Sequence, residues 1–308
     1  MNNIKQINPA VKVYLNNQFI NFEQFKNIAE KLNNKNTFKS IKSAINLNNS
    51  DILTQSSKTK KSLKNAEIYN YVLYFIPEKK HGLKVNLCPL ANNCKKVCLS
   101  ESGYHKLENF AVNKGSLKYN RVYNKKLLRT WLYFANNELF MYLLDSNIKN
   151  LANKYNNNLV IRLNGTSDII VNKFEFLYKK YNKINFVEYT KIYKNLEISK
   201  KYKNLTIVFS FDGINSNIDT SLKALKNGFG VAFASSYKMH SKIIELKNTK
   251  YPVINADIFD TRNIDRNYFN IPKNKGYLIA LKFKEVINAN KHEIINHPFI
   301  ADNINIFK

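Results

Sequence analysis

The chain has 308 residues, a formal charge of +27 and an apolar fraction of 44%, enough apolar material to fill one large domain or two small ones. No run approaches the ~18 uninterrupted apolar residues that a bilayer requires, and Met1 to Ile7 lacks the basic-then-apolar order of an export signal, so neither membrane insertion nor secretion is expected. Its three cysteines fall within eleven residues, which excludes a disulfide framework spread along the chain and suits a cytoplasmic or equivalent reducing compartment.

The charge points toward phosphate-bearing partners, because Lys and Arg release counterions from nucleic acid. Lys, Asn, Ile, Tyr and Phe are abundant together, however, a mixture that AT-rich coding writes onto any solvated surface, so nucleic acid is a candidate partner and no more.

Residues 1–64 combine an apolar stretch, Val11 to Phe25, with a polar run rich in Asn, Ser and Lys, and read as an N-terminal appendage and linker. From residue 65 to 308 short apolar runs alternate with turns and helical patterns. The expected core strands are Tyr71 to Ile76, Leu159 to Leu163, Asn185 to Tyr189, Leu205 to Phe209, Gly230 to Ala234, Val253 to Ala256 and Tyr277 to Phe283. A long helical region, Leu117 to Asn153, separates the first two, and shorter helices are expected at Phe174 to Asn182 and Ile218 to Asn227. Near-continuous apolarity in the strands fits a parallel sheet covered by helices. The expected α/β fold is a parallel β/α barrel, complete or incomplete, with a doubly wound sheet as the other choice.

Behind the first strand come Cys88, Cys94 and Cys98, separated by five and three residues. Three soft thiolates on one short loop suit an iron-sulfur cluster or zinc, since the loop can bend to bring the sulfurs to one centre. Held by three cysteines, a 4Fe-4S cluster keeps one iron open. Zinc prefers four ligands, and His105 is the nearest further donor, at a spacing that matches no common finger. The remaining alternative is that the three thiols are small buried hydrophobes.

Strand ends in a parallel barrel converge on one mouth. Here they supply Asn164, Gly165, Thr166, Ser167 and Asp168 after the second strand, candidates for binding a polar cofactor, and Ser210 after the fourth. Gly165 permits close backbone approach while its neighbours offer donors and acceptors; the same string would also serve as a tight turn capping a helix. Glu188 and Asp257 are the candidate general acid or base, or else ordinary ion-pair partners of Lys and Arg. Lys191 is a weaker candidate for an anion contact. Neither a phosphate-binding Gly-rich loop nor a hydrolase constellation is present.

At these residues the chain resembles the bacteriophage gene product 88 domain family. The resemblance rests on Ser57-Lys58-Thr59-Lys60, Leu87-Cys88-Pro89-Leu90-Ala91 with Cys94 and Cys98, Arg162 to Ile169, Tyr189-Thr190-Lys191 and the later strands up to Lys284. Glu188 stands where the family usually has aspartate. More distantly, a three-cysteine loop after a first strand is similar to the radical S-adenosylmethionine superfamily, although the usual cysteine spacing there is tighter. That likeness implies a 4Fe-4S cluster on the cysteines, S-adenosylmethionine near Asn164 to Asp168 and an external reductant. It makes the expected protein an iron-sulfur enzyme of a phage or plasmid acting on nucleic acid or nucleotides. The alternative is a non-enzymatic nucleic-acid-binding protein of a mobile element with a structural zinc site.

Overall fold

The computed structural model describes residues 11–32, 38–47, 52–56, 59–95, 98, 121–169, 171–213, 215–236, 239, 242–246, 248–283 and 300. His105, Ser57, Lys58 and the expected helix start at 117–120 lie outside them.

The described chain opens with a hairpin of β1 (Val13–Leu15) and β2 (Gln18–Ile20). Asn16 and Asn17 join them with φ of 49° and 65°, the pair of left-handed positions that a tight hairpin turn needs and that Asn tolerates. Asn21 then caps α1 (Phe22–Glu30) reciprocally with Gln24, each side chain accepting from the other's backbone N–H at 3.0 and 2.9 Å. The short helices α2 (Phe38–Ile45) and α3 (Lys60–Ala66) follow.

The long helical region is two helices, α4 (Arg121–Ala135) and α5 (Asn137–Tyr155). Asn136 makes the break. Its Oδ1 accepts from Leu139 N–H at 3.0 Å, capping α5, while its Nδ2 donates to the carbonyls of Ala29 and Leu32, both at 2.8 Å. Phe22 and Phe25 of α1 pack on Trp131 of α4 with ring centroids 5.5 and 5.8 Å apart, and Asn124 bonds both ways with the backbone of Tyr14. The N-terminal elements therefore share a core with α4.

Eight strands form one sheet: β3 (Tyr69–Val72), β4 (Leu159–Arg162), β5 (Asn185–Thr190), β6 (Leu205–Ser210), β7 (Gly230–Ser235), β8 (Lys242–Leu246), β9 (Thr249–Asn255) and β10 (Tyr277–Lys282). Their order is β3-β4-β5-β6-β7-β10-β9-β8. Every pair is parallel except the β8–β9 hairpin. All seven expected strands are present. β3 is shifted toward the N-terminus because its ladder with β4 ends where β4 turns away at Leu163. β8 escaped the sequence reading because Lys242, Ile243 and Glu245 are exposed at the sheet edge and give no continuous apolar run.

One face of the sheet packs on the helical layer through residues such as Ile161, Phe186, Phe209 and Phe233. That layer includes the connections α6 (Glu175–Lys180), α7 (Tyr193–Ser199) and α8 (Asn215–Lys226). The other face carries Val160, Val187, Val208, Ala232, Ile254 and Ile279, covered by Ile264, Phe269 and Ile271 from the segment between β9 and β10, which holds α9 (Asp265–Tyr268). Burial on both faces is the physical reason for the continuous apolarity. Within this segment Arg262 and Asp265, both fully buried, pair at 3.5 Å.

The same segment reaches back to the first strand. The side-chain amides of Asn65 and Asn70 donate to the carbonyls of Ile258 and Asp260, and Asp260 N–H donates to Ser62 Oγ at 2.9 Å. β3 and β9 stand first and seventh in the sheet, about 29 Å apart were it flat. The chain from Asn255 to Asp260 spans at most about 18 Å when fully extended, so even with the reach of an Asn side chain the sheet must curl. It does not close: among the described residues nothing pairs β3 with β8, and the outer edge of β3 bonds instead to Thr54, 2.9 Å in both directions. The barrel expectation is corrected to an open, curled, mostly parallel sheet, because β10 inserts between β7 and β9 and the antiparallel β8 ends the series.

Candidate metal centre

The loops after β3 and β4 are interlocked by hydrogen bonds. Gly165 N–H donates to Leu73 O at 3.0 Å, Thr166 Oγ1 to Phe75 O at 2.5 Å, and Asp168 N–H to Leu87 O at 2.8 Å. Cys88 Sγ donates to Thr166 O at 3.6 Å. A Cβ on Gly165 would lie 2.5 Å from Val72 Cγ1 and 2.7 Å from Leu73 O, so only glycine lets the two loops touch at this point. Asn164 closes its own loop: its Oδ1 accepts from Ser167 Oγ and Ile169 N–H, both at 3.0 Å.

Asp168 ties this loop to the end of β5. Its carboxylate accepts from Thr190 Oγ1 at 2.7 Å and from Lys191 N–H at 2.8 Å, and Thr190 Oγ1 in turn accepts from Asn195 Nδ2 at 3.0 Å. Beyond β6, Asp212 accepts from Asn92 Nδ2 at 3.2 Å. Asn92 opens the 3-10 turn Asn92–Lys95 that carries Cys94, so the cysteine loop is held at the C-terminal ends of β4, β5 and β6.

The three cysteines are half-buried and free of disulfides. Cys98 lies within electrostatic reach of both Cys88 and Cys94, so the thiols share one chamber. Burial pushes the Cys88 thiol up to about 12 and raises that of Cys94, with Lys191 pulling both down. Burial also works against the charge of Lys191, but Cys94, Asp168, Cys88 and Asp212 around it hold its pKa above the ordinary lysine value. Lys126, buried on α4, is lowered to about 7 by burial and by Arg129, with Cys98 acting in the opposite direction.

Among the described residues no three His, Cys, Asp or Glu side chains stand ready-made to hold a metal ion. The donor chemistry nonetheless fits a thiolate-bound centre: three soft thiols face one chamber with cations at its wall, and a metal would draw the sulfurs together as it displaced their protons.

The remaining expected site residues are dispersed. Glu188 faces the helical layer, fully buried, and its two oxygens accept from Leu163 and Asn164 N–H at 2.8 and 3.0 Å. Burial pushes it up to about 7 against these bonds and the charge of Arg162. Asp257 is half-buried and accepts from Lys282 N–H at 2.9 Å. The carbonyl of Ser210 accepts from Asn217 Nδ2 at 3.5 Å. Lys126 and the wall-forming roles of Lys191 and Asp212 were not legible in the sequence, where each is one charge among many. The available signals were the position of Lys191 and Asp212 just past strand ends and of Lys126 inside an apolar helical frame.

No curated protein and no solved structure matches the chain significantly. The Gene product 88 family profile covers residues 45–296, from before β3 to beyond β10 and with it the whole cysteine loop. On this match, which takes in most of its length, the chain belongs to the Gene product 88 family.

Proposed function

We propose that the chain is an iron-sulfur enzyme of radical S-adenosylmethionine type, in which Cys88, Cys94 and Cys98 hold a 4Fe-4S cluster and a nucleic acid or nucleotide is the substrate. The observation that carries this reading is the meeting of three thiols in one chamber at the C-terminal ends of a curled parallel sheet, against the loop Asn164 to Asp168. When bound, a cluster with three protein ligands offers an open iron to the amino and carboxylate groups of S-adenosylmethionine and passes on the electron that cleaves it, the reductant being external. The protein's own contribution is placement. Asn164, Gly165 and Thr166 fix the wall beside Cys88, Asp168 fixes Lys191 opposite, and the apolar layer under Trp131 keeps water from the loop's base. Of the two carboxylates considered for proton transfer, Asp257 has the solvent access that the role needs, whereas Glu188 is enclosed.

The test is anaerobic purification with optical and electron paramagnetic spectra, quantified iron, sulfide and zinc, and a variant with Cys88→Ala, Cys94→Ala and Cys98→Ala. A reducible cluster that is lost in the variant, and that cleaves S-adenosylmethionine on reduction, is expected. A cluster without cleavage would remove the radical chemistry. Zinc without iron would move the case to a structural site in a nucleic-acid-binding protein.

A further inference from the structure

We propose that Lys191 is the positioning cation of the thiol centre: its ammonium holds the Cys94 sulfur and sets the net charge of whatever the three cysteines bind. The pairing of Lys191 with Cys94 stands on this structure alone, and the effect on a bound centre rests on the iron-sulfur reading above.

Lys191 directly follows β5, and its backbone is pinned where it stands by Asp168, itself held by Thr190. Its side chain hydrogen-bonds with Cys94 and faces Cys88, Asp168 and Asp212. A protonated lysine has three donors and no lone pair, so it cannot be a fourth ligand; it can only donate to sulfur and carboxylate and neutralise charge. Three thiolates with two carboxylates behind them would be a concentrated negative site, and one ammonium at its middle is the compensation that the fold provides. Hydrogen bonds to ligating sulfurs and local charge are also what set the potential of an iron-sulfur centre. Losing this cation should make a bound cluster harder to reduce.

Two measurements test it. In the reduced, metal-free protein, alkylation of Cys94 by anionic iodoacetate and by neutral iodoacetamide is compared by mass spectrometry. Both reagents need the same thiolate, so the ratio of rates reports the local positive charge independently of thiol ionisation. The ratio should fall about fivefold in Lys191→Gln, the factor a unit charge at contact distance is worth in water, and be retained in Lys191→Arg. In the unaltered chain it should also exceed the ratio after unfolding in urea, a comparison that needs no variant. An unchanged ratio in both comparisons overturns the pairing. In cluster-loaded protein the midpoint potential should drop in Lys191→Gln and recover in Lys191→Arg; no shift overturns the charge-setting role. If the unaltered chain takes up no cluster, the iron-sulfur reading fails, while the alkylation ratio still decides the pairing of Lys191 with Cys94.

Discussion

Glu188 should make the protein lose stability as the pH rises from acid to neutral. Its carboxyl group is fully buried, and burial raises its pKa from 4.5 to about 7 in spite of the two backbone N–H groups it accepts from. A raised acid pKa means that the native state retains its proton after the unfolded chain has lost it. The stabilisation is complete below about pH 4.5 and disappears as the pH climbs to about 7. A gap of roughly 2.5 units at 1.36 kcal/mol each gives about 3 kcal/mol. The perturbation is Glu188→Gln, which cannot ionise. Urea unfolding followed by the fluorescence of Trp131, the single and fully buried tryptophan, would be run for both chains from pH 4.5 to 8. Subtracting one stability curve from the other removes groups common to both, including Asp265, whose carboxyl is likewise pushed up by burial to about 7. The difference should shift by about 3 kcal/mol across the window in favour of the variant. A flat difference would refute the claim that burial dominates at this carboxyl.

Gly165→Ala should cost about 1–3 kcal/mol, because the new Cβ meets Val72 Cγ1 at 2.5 Å and the Leu73 carbonyl at 2.7 Å; it should also loosen the cysteine loop, read as faster alkylation of Cys88. Asp265→Ala at pH 8 should cost about 3–5 kcal/mol by leaving Arg262 buried without its partner, whereas Arg262→Met with Asp265→Leu should recover most of that loss in urea unfolding. Equal losses in the single and double variants would refute the assignment of the cost to the stranded charge.

The parts of the fold that were legible are those in which burial writes itself into the residue order. Leu159 to Leu163 or Gly230 to Ala234 read as strands because both faces of the sheet are covered. The break at Asn136 was hidden, since an amide that caps one helix while binding the carbonyls of another leaves the 3.6-residue apolar period intact. The order of the last strands was hidden too, because no local pattern says that β10 enters between β7 and β9. Around the cysteines, the sequence showed the thiols and the Asn164 to Asp168 string as separate signals. What joins them is Asp168 gripping the Lys191 backbone, a contact across 23 positions that spacing alone does not reveal.

The reach of the β9–β10 segment back to the first strand has a consequence for how the protein is made. The bond from Asn70 to Asp260 connects residues 190 positions apart. On the ribosome the cysteine loop emerges long before its floor exists: β4 follows it by some sixty residues, at roughly 5–20 residues per second, and the tie that requires the sheet to curl comes a hundred residues later still. Contacts of such sequence separation form late. During that interval the three thiols belong to an open chain, exposed to oxidants and to any metal at hand. Whatever centre the mature protein carries is therefore best delivered after synthesis of β10, and co-expression of the machinery that does so should matter more for its yield than the level of the chain itself.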